Sequence, residues 1–165
     1  MNHLQAIFVL NGNDGTGKST ICQRINQSAN YVAIERSNEL SIKYGISLML
    51  DGLTLSHTFE DRDDNIDFVD SAQIGHKTVP VYWVVLDATI ETIKGRISKR
   101  YNHNKWESAK SLFYFRQRFR ELSAYYGIPL IDTTKLNIDE VINKVIELHT
   151  NNSQYHEIRS LALKN

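Results

Sequence analysis

Apolar residues are distributed along the chain in two patterns, and their alternation sets the expected fold. Short unbroken apolar runs predict strands at Ala6 to Leu10, at Tyr31 to Ile34 after a break at Asn30, at Val79 to Leu86 and at Ile128 to Ile131. Apolar residues recurring every three or four positions predict helices through Ile21, Cys22 and Ile25, and through Leu40, Tyr44 and Leu48 up to Leu50, where Asp51 and Gly52 stop the pattern. Two more follow, one from Thr89 through Ile90, Ile93 and Ile97 and one through Ala109, Leu112, Phe115, Phe119, Leu122 and Tyr126, which Gly127 ends and Pro129 keeps from resuming. A last helix has Asn137 as cap, Glu140 three residues on, and Ile138, Val141, Ile142, Val145 and Ile146 facing inward. Val79 to Leu86 is apolar almost throughout, as a parallel strand covered on both faces should be. The order predicts an α/β three-layer sandwich with a mostly parallel central sheet, one domain spanning residues 1–165.

Two stretches carry little pattern. Residues 53–78 offer a strand at Thr54 to Phe59 leading into Glu60, Asp61 and Arg62, and the polar tail 150–165 offers a short helix near Ile158 to Leu163 with no assigned role. Composition narrows the class without naming it. With 165 residues, 41% hydrophobic and zero net charge, the chain has core enough for one domain, and no global field draws it to nucleic acid or an anionic membrane. The single cysteine, Cys22, cannot form an internal disulfide, and no apolar run has the length of a membrane span, so a cytoplasmic protein is expected. The charge is placed unevenly, with seven acids and one arginine over residues 51–70 and nine Lys or Arg against Glu107 over residues 94–120.

The clearest chemistry lies just after the first strand. Gly12, Asn13, Asp14, Gly15, Thr16, Gly17, Lys18 and Ser19 fit G-x-x-x-x-G-K-[ST], with Thr20 following, between an apolar strand and a helix. Glycines let closely spaced backbone N–H groups wrap phosphate oxygens, and the helix start adds its positive end. Lys18 would reach the outer phosphates and Ser19 a Mg²⁺ ion. The glycines fall as G-x-x-G-x-G, which is not the dinucleotide pattern, so the expected ligand is ATP or GTP. Glu35 and Arg36 stand at the end of the second strand, where open α/β sheets bind ligands. Asp61 with Arg62 is a further pair, and Asp87 closes the strongest strand. Lys94, Arg96, Lys99 and Arg100 lead into a polar stretch, Tyr101 to Lys105, suited to a short lid near 98–106.

In this order the pieces resemble the P-loop nucleotide kinases, and among them the thymidylate kinase family. The residues that carry the resemblance are Gly12 to Thr20, Val85 to Asp87, Arg96 to Arg100, and Ile131 to Thr134 followed by Ile138 to Val141. The resemblance implies transfer of the γ-phosphoryl of ATP to a nucleoside monophosphate or a nucleoside, with ATP and Mg²⁺ required. It makes Lys18, Glu35, Arg36, Arg96 and Arg100 catalytic residues and gives Ser19 and Asp61 to the metal, with Glu35, Asp61 and Asp87 all open as its acid. Thr133 and Thr134 would join Gly12 to Thr20 in holding the donor, and Glu35, Arg36, Tyr44, Asp61 and Arg62 would contact the acceptor. The family's R-E-P-G and D-R-Y signatures are replaced here by Glu35-Arg36-Ser37 and Asp61-Arg62-Asp63; the former also resembles the acid-arginine motif of deoxynucleoside kinases. Two alternatives stand beside this reading: a kinase of polynucleotide ends or modified bases, with Arg116, Arg118 and Arg120 as a track, and a nucleotide-dependent switch. The expected partner is a small acceptor molecule; no membrane is expected, and a homodimer stays open.

Overall fold

A computed structural model describes residues 3–35, 70–100, 108–162 and 164 of the chain. Within them lie strands β1 (Ala6–Gly12), β2 (Tyr31–Ile34), β3 (Ser71–Ile74), β4 (Lys77–Asp87) and β5 (Leu130–Asp132). The helices are α1 (Lys18–Ile25), α2 (Ile90–Ile97), α3 (Ala109–Tyr126), α4 (Ile138–Thr150) and α5 (Asn152–Ala162). The expected helix at 40–50, the strand at Thr54 to Phe59 and residues 101–106 of the expected lid lie outside the described residues.

The sheet runs β2-β1-β4, with β3 and β5 sharing the far side of β4. β1 pairs in parallel with β2 and β4, and β5 in parallel with β4, while β3 pairs antiparallel, so the sheet is mixed. β4 is the axis, longer than the apolar run suggests because it begins at Lys77 in a hairpin whose two-residue link is Gly75 and His76. Alternation along the strands splits the core. Ile7, Val9, Val81, Trp83 and Val85 face Phe119 and Leu122 of α3, whereas Phe8, Leu10, Tyr82, Val84 and Leu86 face Ile21, Cys22 and Ile25 of α1 and Val141 and Val145 of α4. A third cluster, Ala88, Ile93, Ile97 and Leu112, seats α2 against α3. Full burial of a Val, Leu, Ile or Phe side chain among these contributes about 1.5–3 kcal/mol. Ile138, expected to face inward, is 42% exposed, since it is the first residue of α4 and lies ahead of the face that Val141 and Val145 present.

The polar tail forms all of α5 and closes the sheet. β3 meets β4 only at 77–80 and β5 only at 85–87, which leaves the middle of that edge without a strand. Its amides find other acceptors: Val81 N–H donates to Asp70 O (2.8 Å), Trp83 N–H to the Tyr155 hydroxyl (3.1 Å) and Val85 N–H to Pro129 O (2.9 Å). Gly127 makes the approach possible, with φ at 64° and no room for a side chain: a Cβ there would lie 2.6 Å from Ala162 Cβ and 2.7 Å from Ile158 O.

Candidate active site

The carboxyl ends of β2, β1, β4 and β5 carry, in that spatial order, Glu35, the glycine loop, Asp87 and Asp132. The loop is shaped by contact with β4: at Gly12 (φ 137°) a Cβ would stand 2.2 Å from Leu86 O, so only glycine fits. α1 then begins at Lys18 without any side-chain cap, the end of a helix where the first amides lack intrahelical partners. Asn13 fastens the loop to α3 through Nδ2–H to Leu112 O (2.7 Å), and the Thr16 hydroxyl donates back to Asn13 O (2.7 Å).

Lys18 lies folded along the loop, its ammonium donating to Gly12 O (2.7 Å) and Asn13 O (2.9 Å). Burial lowers its pKa below the usual lysine value; Asp14 and Glu35 work against that shift, and Arg100 adds to it. Ser19 Oγ, one residue on, donates to both oxygens of Glu35 (3.0 and 2.9 Å). A carboxylate 16 residues away in sequence is thus brought onto the hydroxyl expected to hold Mg²⁺. Among the described residues no group of three or more His, Cys, Asp or Glu converges; at the loop the Ser19 hydroxyl and the Glu35 carboxylate are the oxygens in contact.

Arg96 and the two threonines each have partners within the protein. Arg96 Nη1 donates to Gly15 O (3.3 Å) and Thr133 Oγ1 (3.0 Å), and Nη2 to Thr133 O (2.8 Å). Its guanidinium fastens the loop to the end of β5 and is engaged before any ligand arrives. Burial pulls its pKa down, with Asp132 opposing. Thr133 is 2% exposed, and its hydroxyl accepts from Arg96 while lying 3.3 Å from Thr16 O and 3.0 Å from Asp87 O. That side chain joins loop, β4 and α2. Thr134 accepts from Thr89 N–H (3.0 Å) and donates to Asp132, the main reason the Asp132 carboxyl titrates low.

Asp87 also has work of its own. Its buried carboxylate accepts from Arg116 Nε (3.0 Å) and Nη2 (3.1 Å) and from Arg120 Nη1 (2.6 Å), so it is not a free metal ligand. The three-arginine track does not form: Arg118 pairs with Glu121 (3.2 Å), since residues 116 and 120 share a helix face and 118 lies opposite. The four-residue spacing of Arg116 and Arg120 is the available sequence signal for their common partner. Arg100 lies close enough to act on the Lys18 charge, while Arg36, Tyr44, Asp61 and Arg62 fall outside the described residues.

No protein-family model matches the chain. Over 162 aligned residues, 95% of this chain, it is 32% identical to the bifunctional cordycepin biosynthesis cluster protein 3 of Cordyceps militaris. The chain spans 18% of that protein's length. Among the described residues no helix is long and apolar enough to cross a membrane.

Proposed function

We propose that the chain is an ATP-dependent phosphotransferase acting on a nucleoside or nucleoside monophosphate, of the type that the thymidylate kinase resemblance implies. The observation that carries this reading is the convergence of the Lys18 ammonium, the uncapped start of α1 and the Ser19–Glu35 contact on one glycine loop. The surroundings fit a polyphosphate: the loop approaches β4 where any Cβ would collide, and its lysine lies half-buried along the loop. They also fit Mg²⁺, which takes few protein ligands, all oxygen, and completes its shell with water and phosphate.

In this reading Lys18 leaves Gly12 O and Asn13 O for the outer phosphates, and the first amides of α1 hold their oxygens. Ser19 and one oxygen of Glu35 would hold Mg²⁺, which supplies charge neutralisation on the phosphates when bound. A new bond forms from the acceptor oxygen to the γ-phosphorus as the bond to the departing ADP oxygen breaks. If the acceptor is a nucleoside hydroxyl, its proton goes to the second oxygen of Glu35. Catalysis then rests on positioning and on fixed charge. The similar protein takes its name from a cluster that makes cordycepin, a nucleoside analogue, which favours a small nucleoside-type acceptor. The divided arginines of α3 weigh against a polynucleotide end.

The test is incubation with γ-labelled ATP and a panel of nucleosides, nucleoside monophosphates and DNA 5′ ends. Label should move to a nucleoside or monophosphate, and Lys18→Ala should abolish transfer with the fold retained. Transfer to water alone, or transfer that survives Lys18→Ala, would overturn the proposal.

A further inference from the structure

The loop carries no arginine, and Arg96, the nearest expected source of extra positive charge, is held on Gly15 and Thr133. In phosphoryl transfer the transferring group spreads its charge over three oxygens while charge builds on the leaving oxygen, and fixed cations beyond the loop's lysine stabilise both. α3 provides them. Asn13 binds Leu112 O, and one helical turn further along the same face Arg116 rises beside the end of β4. Leu86 is the register partner of Gly12, so Asp87 stands level with Asn13.

We infer that Arg116, with Arg120 beside it, contacts the terminal phosphoryl of the bound nucleoside triphosphate, and that Asp87 is the residue that positions both. The inference rests on the kinase reading of the loop. Two guanidinium groups meet one buried carboxylate, and three hydrogen bonds satisfy it. Among the described residues Arg116 Nη1 and Arg120 Nε and Nη2 donate no hydrogen bond, which leaves a forked donor set unused at the carboxyl end of the sheet. The side chain of Arg116 is 26% exposed and that of Arg120 51%, so both are reachable from solvent while Asp87, at 4%, is not. Asp132 faces the same pair from β5 and tempers their charge without hydrogen-bonding them. A carboxylate that orients a guanidinium by its Nε edge keeps the outer edge aimed one way, which lowers the cost of ordering it on a phosphate.

Calorimetric titration of the whole chain with Mg²⁺ and either ADP or the β,γ-imido analogue of ATP separates this inference from the kinase reading. The unaltered chain should bind both, Lys18→Ala should weaken both, and those two results judge the kinase reading. Arg116→Gln should then lose roughly 10- to 100-fold in affinity for the triphosphate, the worth of a charge-assisted hydrogen bond, with ADP affinity held within about twofold. Asp87→Asn should lower the same ratio, and Arg116→Lys should recover part of it. An unchanged triphosphate-to-diphosphate ratio in Arg116→Gln, or an equal loss of both ligands together with a lower melting temperature, would make the cluster a staple between α3 and β4 and overturn the inference. A chain that binds neither nucleotide overturns both the kinase reading and the inference.

Discussion

Tyr155→Phe removes a single oxygen, and that oxygen receives the main-chain N–H of Trp83 in the middle of the sheet. Tyr155 is 3% exposed and packs edge-on against Tyr82 (ring centroids 4.9 Å apart), so phenylalanine keeps the ring and the packing. What is lost is the acceptor of a buried amide, a change that costs about 1–3 kcal/mol. For a chain of this length that corresponds to a fall in melting temperature of about 2–12 °C. A second signature is specific to the hydroxyl. Burial raises the Tyr155 pKa from 10.0 to about 12, chiefly by disfavouring the phenolate. The folded state therefore keeps its proton longer than the unfolded chain, and the stability this confers is complete below pH 10 and lost as pH rises toward 12. The two-unit shift corresponds to about 3 kcal/mol over that interval. Urea unfolding of the parent and Tyr155→Phe from about pH 7 to about pH 11.5 measures both effects. The variant should be weaker at neutral pH and should lose stability less steeply at alkaline pH. Equal midpoints at neutral pH with superimposable alkaline limbs would refute the closure of the sheet edge by Tyr155.

Three further outcomes follow from the geometry. Gly127→Ala meets both a positive φ and a Cβ contact at 2.6 Å, so it should cost more than about 1 kcal/mol in a thermal melt, with the loss traceable to α5 by hydrogen exchange. Thr133→Val keeps the shape but removes the hydroxyl that joins Arg96, Thr16 and Asp87; if the kinase reading holds, transfer should fall by about tenfold or more, and unchanged transfer would remove the network from the site's description. The lowered pKa of Lys18 should return toward 10.5 when a polyphosphate binds, so nucleotide binding should take up protons, increasingly as pH rises through the lowered value. Titrations in two buffers of different ionisation enthalpy detect that uptake, and Lys18→Ala should abolish it.

The pattern of the chain displays what depends on neighbours in sequence. The buried run of β4, the Asn137–Glu140 capping box and the strand–loop–helix around Lys18 are local, and all three stand as expected. β3 is hidden from a sequence reading because its strand exposes Ser71 and Gln73 and buries only Ala72 and Ile74, too short an alternation to stand out from the polar region before it. The short helix expected near Ile158 to Leu163 understates α5, which starts at Asn152, because the side chains it buries are Tyr155 and Arg159, four residues apart but polar in type. The site diverges from expectation where main-chain acceptors decide the outcome. Arg96 is spoken for by the carbonyls of Gly15 and Thr133, which no residue letter shows, and Asp87 by arginines 29 and 33 positions away. The Ser19–Glu35 contact joins two residues expected at the same site, and the fold supplies their meeting.

The posture of Lys18 changes what an affinity for nucleotide would mean. Its ammonium already holds two carbonyl oxygens, so an arriving phosphate exchanges partners with the loop and does not meet a bare cation. The lysine's net contribution is then the difference between anionic and neutral acceptors, reduced by the hydrogen bonds it gives up. Removing the lysine would also strip Gly12 O and Asn13 O of their donor and loosen the loop, so a truncation experiment measures the exchange and the repair together. Affinity built this way can be modest for the number of contacts in the complex, while selectivity for a highly charged ligand stays high, because only strong acceptors can win the exchange.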